Sequence, residues 1–209
     1  MNLEVVYQDQ HLIAVNKPSG LLSVPGRGPE NQDCVIARAQ SAYPDSRIIH
    51  RLDMATSGLL LIAHNLEALR AFSKLFEKRL ISKRYVAVVH GMPDRAEGDI
   101  TEPLICDWPN RPKQKVCWET GKSASTHYRI TEMDRDKNRS RVELTPHTGR
   151  SHQLRVHMLT MGHPILGDEF YGHEESQSAA ERLLLHATQL CFEHPFSGEQ
   201  IHLTCECDF

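Results

Sequence analysis

Long apolar runs are missing from this 209-residue chain. The longest, Leu59 to Ala63, is far short of the roughly 20 residues that a membrane-spanning helix needs, so no membrane partner is expected. The opening stretch MNLEVVYQDQ lacks the basic region and apolar core of a signal peptide and carries Glu4 and Asp9 instead, which predicts a cytoplasmic protein. No C-x-x-C pair occurs among Cys34, Cys106, Cys117, Cys191, Cys205 and Cys207, and a chain this long has core enough without staples, so reduced thiols are expected. P-loop, G-x-G-x-x-G, H-E-x-x-H and Ser-His-Asp patterns are also lacking. No cofactor and no metal are therefore expected. Without a repeat, a low-complexity segment or a linker to divide it, the chain reads as one domain over 1–209.

The chain has 40% hydrophobic and 24% charged residues, the balance of a globular protein. Its net charge of -3 is unevenly spread. Residues 156–209 carry nine acidic side chains against Arg182 alone, which leaves 23 basic and 18 acidic residues in 1–155. Arg70, Lys74, Lys78, Arg79, Lys83 and Arg84 cluster with Glu77 as their one acidic neighbour, and Arg111, Lys113 and Lys115 alternate through a Pro-rich loop. Such patches suit phosphate, although a solvated helix face and a solvated loop would look the same.

Two short apolar runs, LEVVYQ and HLIAVNK, flank a polar turn and predict a hairpin; KPSG ends it. A short helix is expected from Asp33 to about Tyr43, strand pieces at Ile48-Ile49 and Gly58–Ala63, and between them a polar segment, 50–57. Asn65 can cap a helix whose Leu66, Leu69, Phe72, Phe76 and Leu80 repeat at three- and four-residue spacing, leaving its basic residues outward. RYVAVVH (84–90) reads as a strand, 98–118 as loop, and 124–132 and 139–145 as two more strands. A helix follows from about Ser151 to Met161 with Leu154, Met158 and Met161 on one side. The tail predicts a short helix near 176–183 and a last hairpin, 186–193 with 199–205, turned by PFSG. Strands outnumber helices and are mostly sequential, which predicts an α+β fold: a mixed, largely antiparallel sheet with flanking helices.

Two segments carry chemistry. Asp53 is the lone carboxylate between Asp45 and Glu67, so it could be a nucleophile, a base or an ion ligand, or simply bond turn amides near Thr56 and Ser57. The second, HTGRSHQLRVH (147–157), holds two arginines, three histidines and no acid. If Ser151 opens the helix, its amides and Arg150 form an anion-attracting end, and Arg155 lies one turn in, able to pair with a carboxylate from another element. A zinc site is the competing idea, but His152 and His157 are five apart and Cys205 and Cys207 stand alone.

HRLDMATSGLLLIA (50–63), KRYVAVVHG (83–91) and TGRSHQLRVHM (148–158), with NKPSGLLSVPG (16–26) and HPILGDEFY (163–171), resemble in order the motifs of the RluA family of pseudouridine synthases. The resemblance spans nearly the whole chain. It implies a pseudouridine synthase fold with a central active-site cleft, no cofactor, and an isomerase that turns uridine into pseudouridine in flipped-out loop nucleotides of structured RNA. The loop PLICDWPNRPKQKVC (103–117) resembles the branch acting on both 23S ribosomal RNA and the tRNA anticodon stem-loop (position 32). Many relatives carry an RNA-binding domain before the catalytic one; here the pattern starts at about residue 3, so RNA is expected to be gripped by the catalytic domain alone, as a monomer without an obligate protein partner.

Carried over residue by residue, the resemblance makes Asp53 the catalytic aspartate, Tyr85 the conserved tyrosine and Arg155 the basic partner of the aspartate. Arg51 matches an arginine that enters the RNA stack beside the flipped nucleotide. Arg150, His152, Arg111, Lys113, Lys115, Lys83 and Arg84 are the further expected RNA contacts. Asp53 could attack the ring, attack the sugar or take a sugar proton; the sequence leaves these open. An RNA-binding module without turnover and a metal-dependent hydrolase are the other classes considered.

Overall fold

Asp9 makes the first turn. Its carboxylate accepts hydrogen bonds from the amides of His11 (2.7 Å) and Leu12 (2.8 Å), and strands β1 (Glu4–Gln8) and β2 (Leu12–Lys17) pair antiparallel across it as expected. The structure, a computed structural model, describes residues 3–209; Met1 and Asn2 of the expected domain lie outside them. The chain continues through α1 (Val35–Gln40), β3 (Arg47–Ile48), β4 (Ser57–Ala63), α2 (Leu66–Glu77) and β5 (Ser82–His90). Next come β6 (Glu97–Ile100), β7 (Leu104–Cys106), β8 (Gln114–Val116), β9 (Thr126–Asp134) and β10 (Arg139–Pro146). Helices α3 (Gln153–Thr160) and α4 (Glu174–Ser178) and strands β11 (Leu185–Glu193) and β12 (Gln200–Thr204) complete it. The chain divides into two compact units, the first running to Lys83 and taking in His186–Asp208, the second comprising Arg84–Leu185 with Phe209.

In the first unit the strand order is β1-β2-β4-β11, with β12 antiparallel on β11 and β3 on β4. Strands β4 and β11 run parallel, which makes the sheet mixed. Gly58 permits that pairing: at φ +107° a Cβ would sit 2.3 Å from the Ala187 carbonyl oxygen. β4 is buried along its whole length, and Leu12, Leu59, Leu61, Phe72, Leu190 and Leu203 form the core. Asn65 caps α2 by accepting the Ala68 amide at 2.9 Å. Phe72 is fully buried, worth roughly 2–3 kcal/mol.

The apolar stripe of α2 is narrower than its spacing suggests. Leu66 is 51% and Leu80 58% exposed. At roughly 100° per residue Leu66 lies about 120° round the helix from Phe72, the one fully buried residue of the stripe, and Leu80 falls after the helix has ended at Lys78 and Arg79 has turned to φ 57°. Arg70, Lys74, Lys78 and Arg79 do point outward.

The second unit orders its strands β5-β10-β9-β6, all antiparallel. Part of 98–118 is strand, not loop: β6 begins at Glu97, and β7 and β8 form a hairpin, Leu104 opposite Val116. Three-residue strands broken by Pro109 and Pro112 are too short to show alternation; pairing across the turn makes them. Helix α3 starts at Gln153, two residues after the expected Ser151, because His152 before it is held at φ 53°. It is buried on nearly every side, from Gln153 through Met158, not on one.

Candidate active site

Asp53 sits in the segment between β3 and β4, and the backbone on both sides of it is fastened. The buried Ser23 hydroxyl donates to the Leu52 carbonyl (2.8 Å) and accepts the Leu52 amide (3.1 Å). On the other side Met54 O accepts from Lys17 Nζ (3.0 Å) and the Gly20 amide (2.9 Å), and Ala55 O accepts from Ser19 Oγ (2.7 Å). The Thr56 amide closes a turn on Asp53 O at 3.1 Å. His50 anchors the start: its Nε2 accepts the Leu61 amide at 3.0 Å and its ring stacks on Phe76. Burial, reinforced by Lys83, pushes His50 down to about 3, so the ring is neutral and able to accept. Arg51 is exposed and Asp53 half-buried.

Lys17 has no exposed surface at all. Its ammonium donates three hydrogen bonds, to Pro18 O, Leu21 O and Met54 O at 2.8–3.0 Å, one for each of its protons. Burial pulls its pKa down to about 8 while the charge of Asp53 pulls it up, so at neutral pH a cation remains beside the aspartate. In the sequence Lys17 stands at the end of the first hairpin and inside the NKPSGLLSVPG stretch; a lysine ending a strand that opens on four apolar residues is the local signal of its burial. Lys83 is half-buried, and burial lowers its pKa, with Arg79 adding to the effect.

In the second unit Tyr85 is half-buried on β5, opposite Leu144. Arg84 pairs with Glu143 (3.2 Å), which Arg129 also holds. Arg155, 4% exposed, grips Asp168 with two parallel hydrogen bonds, Nε to Oδ2 at 2.8 Å and Nη2 to Oδ1 at 2.6 Å. Asp168 Oδ1 also accepts the amides of Phe170 (3.0 Å) and Tyr171 (3.2 Å), and the guanidinium lies 5.0 and 5.1 Å from those two rings. The guanidinium plane is thereby fixed by a fork and two aromatic faces. Asp168, like Tyr171, was not singled out from the sequence, since nothing local ties HPILGDEFY to α3.

His152 meets the Tyr171 hydroxyl through Nδ1 at 2.7 Å. His157 uses both ring nitrogens, on Thr126 Oγ1 (2.9 Å) and Glu102 O (3.1 Å). Among the described residues no three His, Cys, Asp or Glu side chains gather as metal ligands, and no helix is long and apolar enough to cross a membrane. Arg150 bonds Ser123 O through Nε at 3.0 Å, and its amide is taken by Gln153 Oε1. On the β7–β8 hairpin Arg111 and Lys115 are exposed, Lys113 is half-buried, and Lys115 pairs with Asp107 at 3.2 Å.

The family model for RNA pseudouridylate synthase matches residues 11–160. The dual-specificity RNA pseudouridine synthase RluA of Yersinia pestis is 57% identical over 205 residues, covering 98% of this chain and 99% of that protein. Its namesake from Escherichia coli K12 is 55% identical, covering 99% and 94%. Among solved structures, human RNA pseudouridylate synthase domain containing 1 superposes with a TM-score of 0.82 at 27% identity, covering 100% of this chain and 84% of that one. With its motifs and fold in agreement with these relatives, the chain belongs to the RNA pseudouridylate synthase family.

Proposed function

We propose that this chain isomerises uridine to pseudouridine in flipped-out loop nucleotides of 23S ribosomal RNA and of the tRNA anticodon stem-loop, in the cytoplasm. The reaction breaks the bond from N1 to the ribose, forms one from C5, and moves a proton from C5 to N1; it needs neither an oxidant nor a second substrate. The observation that supports the reading best is the fastening of Asp53. Ser23 holds Leu52 before it and Lys17 the carbonyl of Met54 after it, so the carboxylate stays aimed without reorganising as charge develops.

Asp53 starts the reaction. Tyr85 stacks on the uracil and its phenol helps remove the C5 proton. Arg155 supplies a guanidinium already oriented by Asp168. Arg51 fills the gap left by the extruded base and offsets part of the few kcal/mol of unstacking. Lys83, Arg84, Arg150, His152 and the cations of the β7–β8 hairpin contact the RNA around it.

Asp53→Asn tests this, because it removes the charge and keeps the volume. Tritium release from C5-labelled uridine in an RNA stem-loop should vanish while RNA affinity stays within about threefold. Appreciable release by the variant would remove Asp53 from its role, and tight RNA binding without release by the unmodified protein would favour a binding module.

A further inference from the structure

The chain has two tryptophans, and both lie outside: Trp108 is 65% and Trp118 71% exposed, more than any other large apolar side chain among the described residues. Burying an indole ordinarily contributes a few kcal/mol, so leaving two in water points to a use at the surface. Both stand on one excursion. Trp108 opens the turn Trp108–Asn110 at the tip of the β7–β8 hairpin, and Trp118 follows β8 by two residues.

Neither ring hangs on a loose loop. At the tip the Asp107 amide bonds Lys113 O (2.9 Å), the Lys113 amide bonds Asn110 O (3.0 Å), and Asn110 Nδ2 bonds Asp107 Oδ2 (2.8 Å). At the base, the Cys117 amide bonds Pro103 O (2.9 Å) and the Gly121 amide closes a turn on Cys117 O (3.0 Å). A Cβ at Gly121 would lie 2.2 Å from the Cys117 oxygen and 3.0 Å from the Pro103 carbonyl, so the turn that presents Trp118 closes on a glycine. The Arg111 guanidinium lies over the Trp108 ring, 4.5 Å from its centroid. Four cations, Arg111, Lys113, Lys115 and Lys122, interleave with the two rings against Asp107 and Glu119.

We propose that Trp108 and Trp118 are stacking platforms for unpaired bases of the RNA substrate, gripping it apart from the residues that carry out the isomerisation. Exposed aromatics alternating with cations match a strand whose bases offer π-faces and whose backbone is anionic. Arg111 behind Trp108 orients the ring and adds positive charge where phosphate passes. The inference rests on the RNA reading above, and charge complementarity favours RNA over an apolar protein surface.

Because the chain holds only these two indoles, fluorescence reads them directly. Trp108→Phe leaves Trp118 as the reporter, and Trp118→Phe leaves Trp108. The emission of both variants should be quenched on titration with an RNA stem-loop bearing an unpaired uridine-containing loop, and not with a fully paired RNA duplex or inorganic polyphosphate. Replacing either tryptophan by alanine should raise Kd for the stem-loop about five- to a hundredfold, with the single-turnover rate at saturating RNA and the melting temperature unchanged. Equal quenching by polyphosphate, or no quenching while RNA binding is measured independently, overturns the proposal. Emission that changes with protein concentration alone overturns it in favour of a second copy on this face. Asp53→Asn should quench like the unmodified protein. Quenching without any isomerisation would sink the proposed function and leave the platforms standing; isomerisation without quenching would do the reverse.

Discussion

The hydroxyl of Tyr171 stands 2.7 Å from both Nδ1 of His152 and the backbone amide of Gln114. One phenol therefore ties the residue that precedes α3 to the first residue of β8, and its ring lies 5.1 Å from the Arg155 guanidinium. Tyr171→Phe keeps the packing and removes both hydrogen bonds. At a net 0.5–1.5 kcal/mol each, about 2 kcal/mol should go, and the melting temperature should fall by roughly 4–8 °C. A thermal scan checks this; an unchanged melting temperature would mean that the hydroxyl contributes nothing to the join.

Lys17 carries a pH dependence whose sign is fixed by its burial. Its pKa is about 8 in the folded chain and 10.5 in its ordinary state, so between these values the unfolded chain binds more protons than the folded one. Stability should rise across about pH 8 to 10.5, and the cost of burying the ammonium is fully present below 8. Urea unfolding at a series of pH values should show the rise in the unmodified protein and its absence in Lys17→Met. Over the same range isomerisation should decline, as the cation beside Asp53 is lost.

Breaking the Arg155–Asp168 fork should be severe. Asp168→Asn leaves a guanidinium buried without its counter-charge, a loss of about 3–5 kcal/mol. The melting temperature should drop by about 10 °C, and kcat should fall more than KM rises, because the orientation of Arg155 is what suffers. A cost below about 1 kcal/mol would show that the two aromatic faces hold the guanidinium without Asp168.

Salt dependence separates the cations of the hairpin from its rings. Alanine at Arg111, Lys113 and Lys115 together should flatten the log-log slope of affinity against salt by about 1–2, at roughly 0.7 per contact with single-stranded RNA; Lys115 contributes least because Asp107 already holds it. Filter binding at several salt concentrations measures the slope, and an unchanged one would assign these cations to the structure of the hairpin.

Much of this protein is written locally. The Asp9 turn, the Asn65 cap and the last hairpin depend on neighbours a few residues away, and each stands where its sequence pattern puts it. As candidates Asp53 and Arg155 are legible for a related reason: a lone carboxylate in a polar segment between strands and an arginine one turn into a helix need no tertiary information to be noticed. Their surroundings do. Lys17 and Met54 are 37 residues apart, Ser23 and Leu52 29, and Arg155 and Asp168 13, and no periodicity links such pairs. The all-round burial of α3, the exposure of Leu66 and the three-residue strands of the β7–β8 hairpin likewise follow from what packs where. Residue type and spacing determined which groups could do chemistry. Only the tertiary structure decided which are held still, because a buried ammonium or guanidinium is tolerable only where distant backbone and carboxylate oxygens converge to satisfy it.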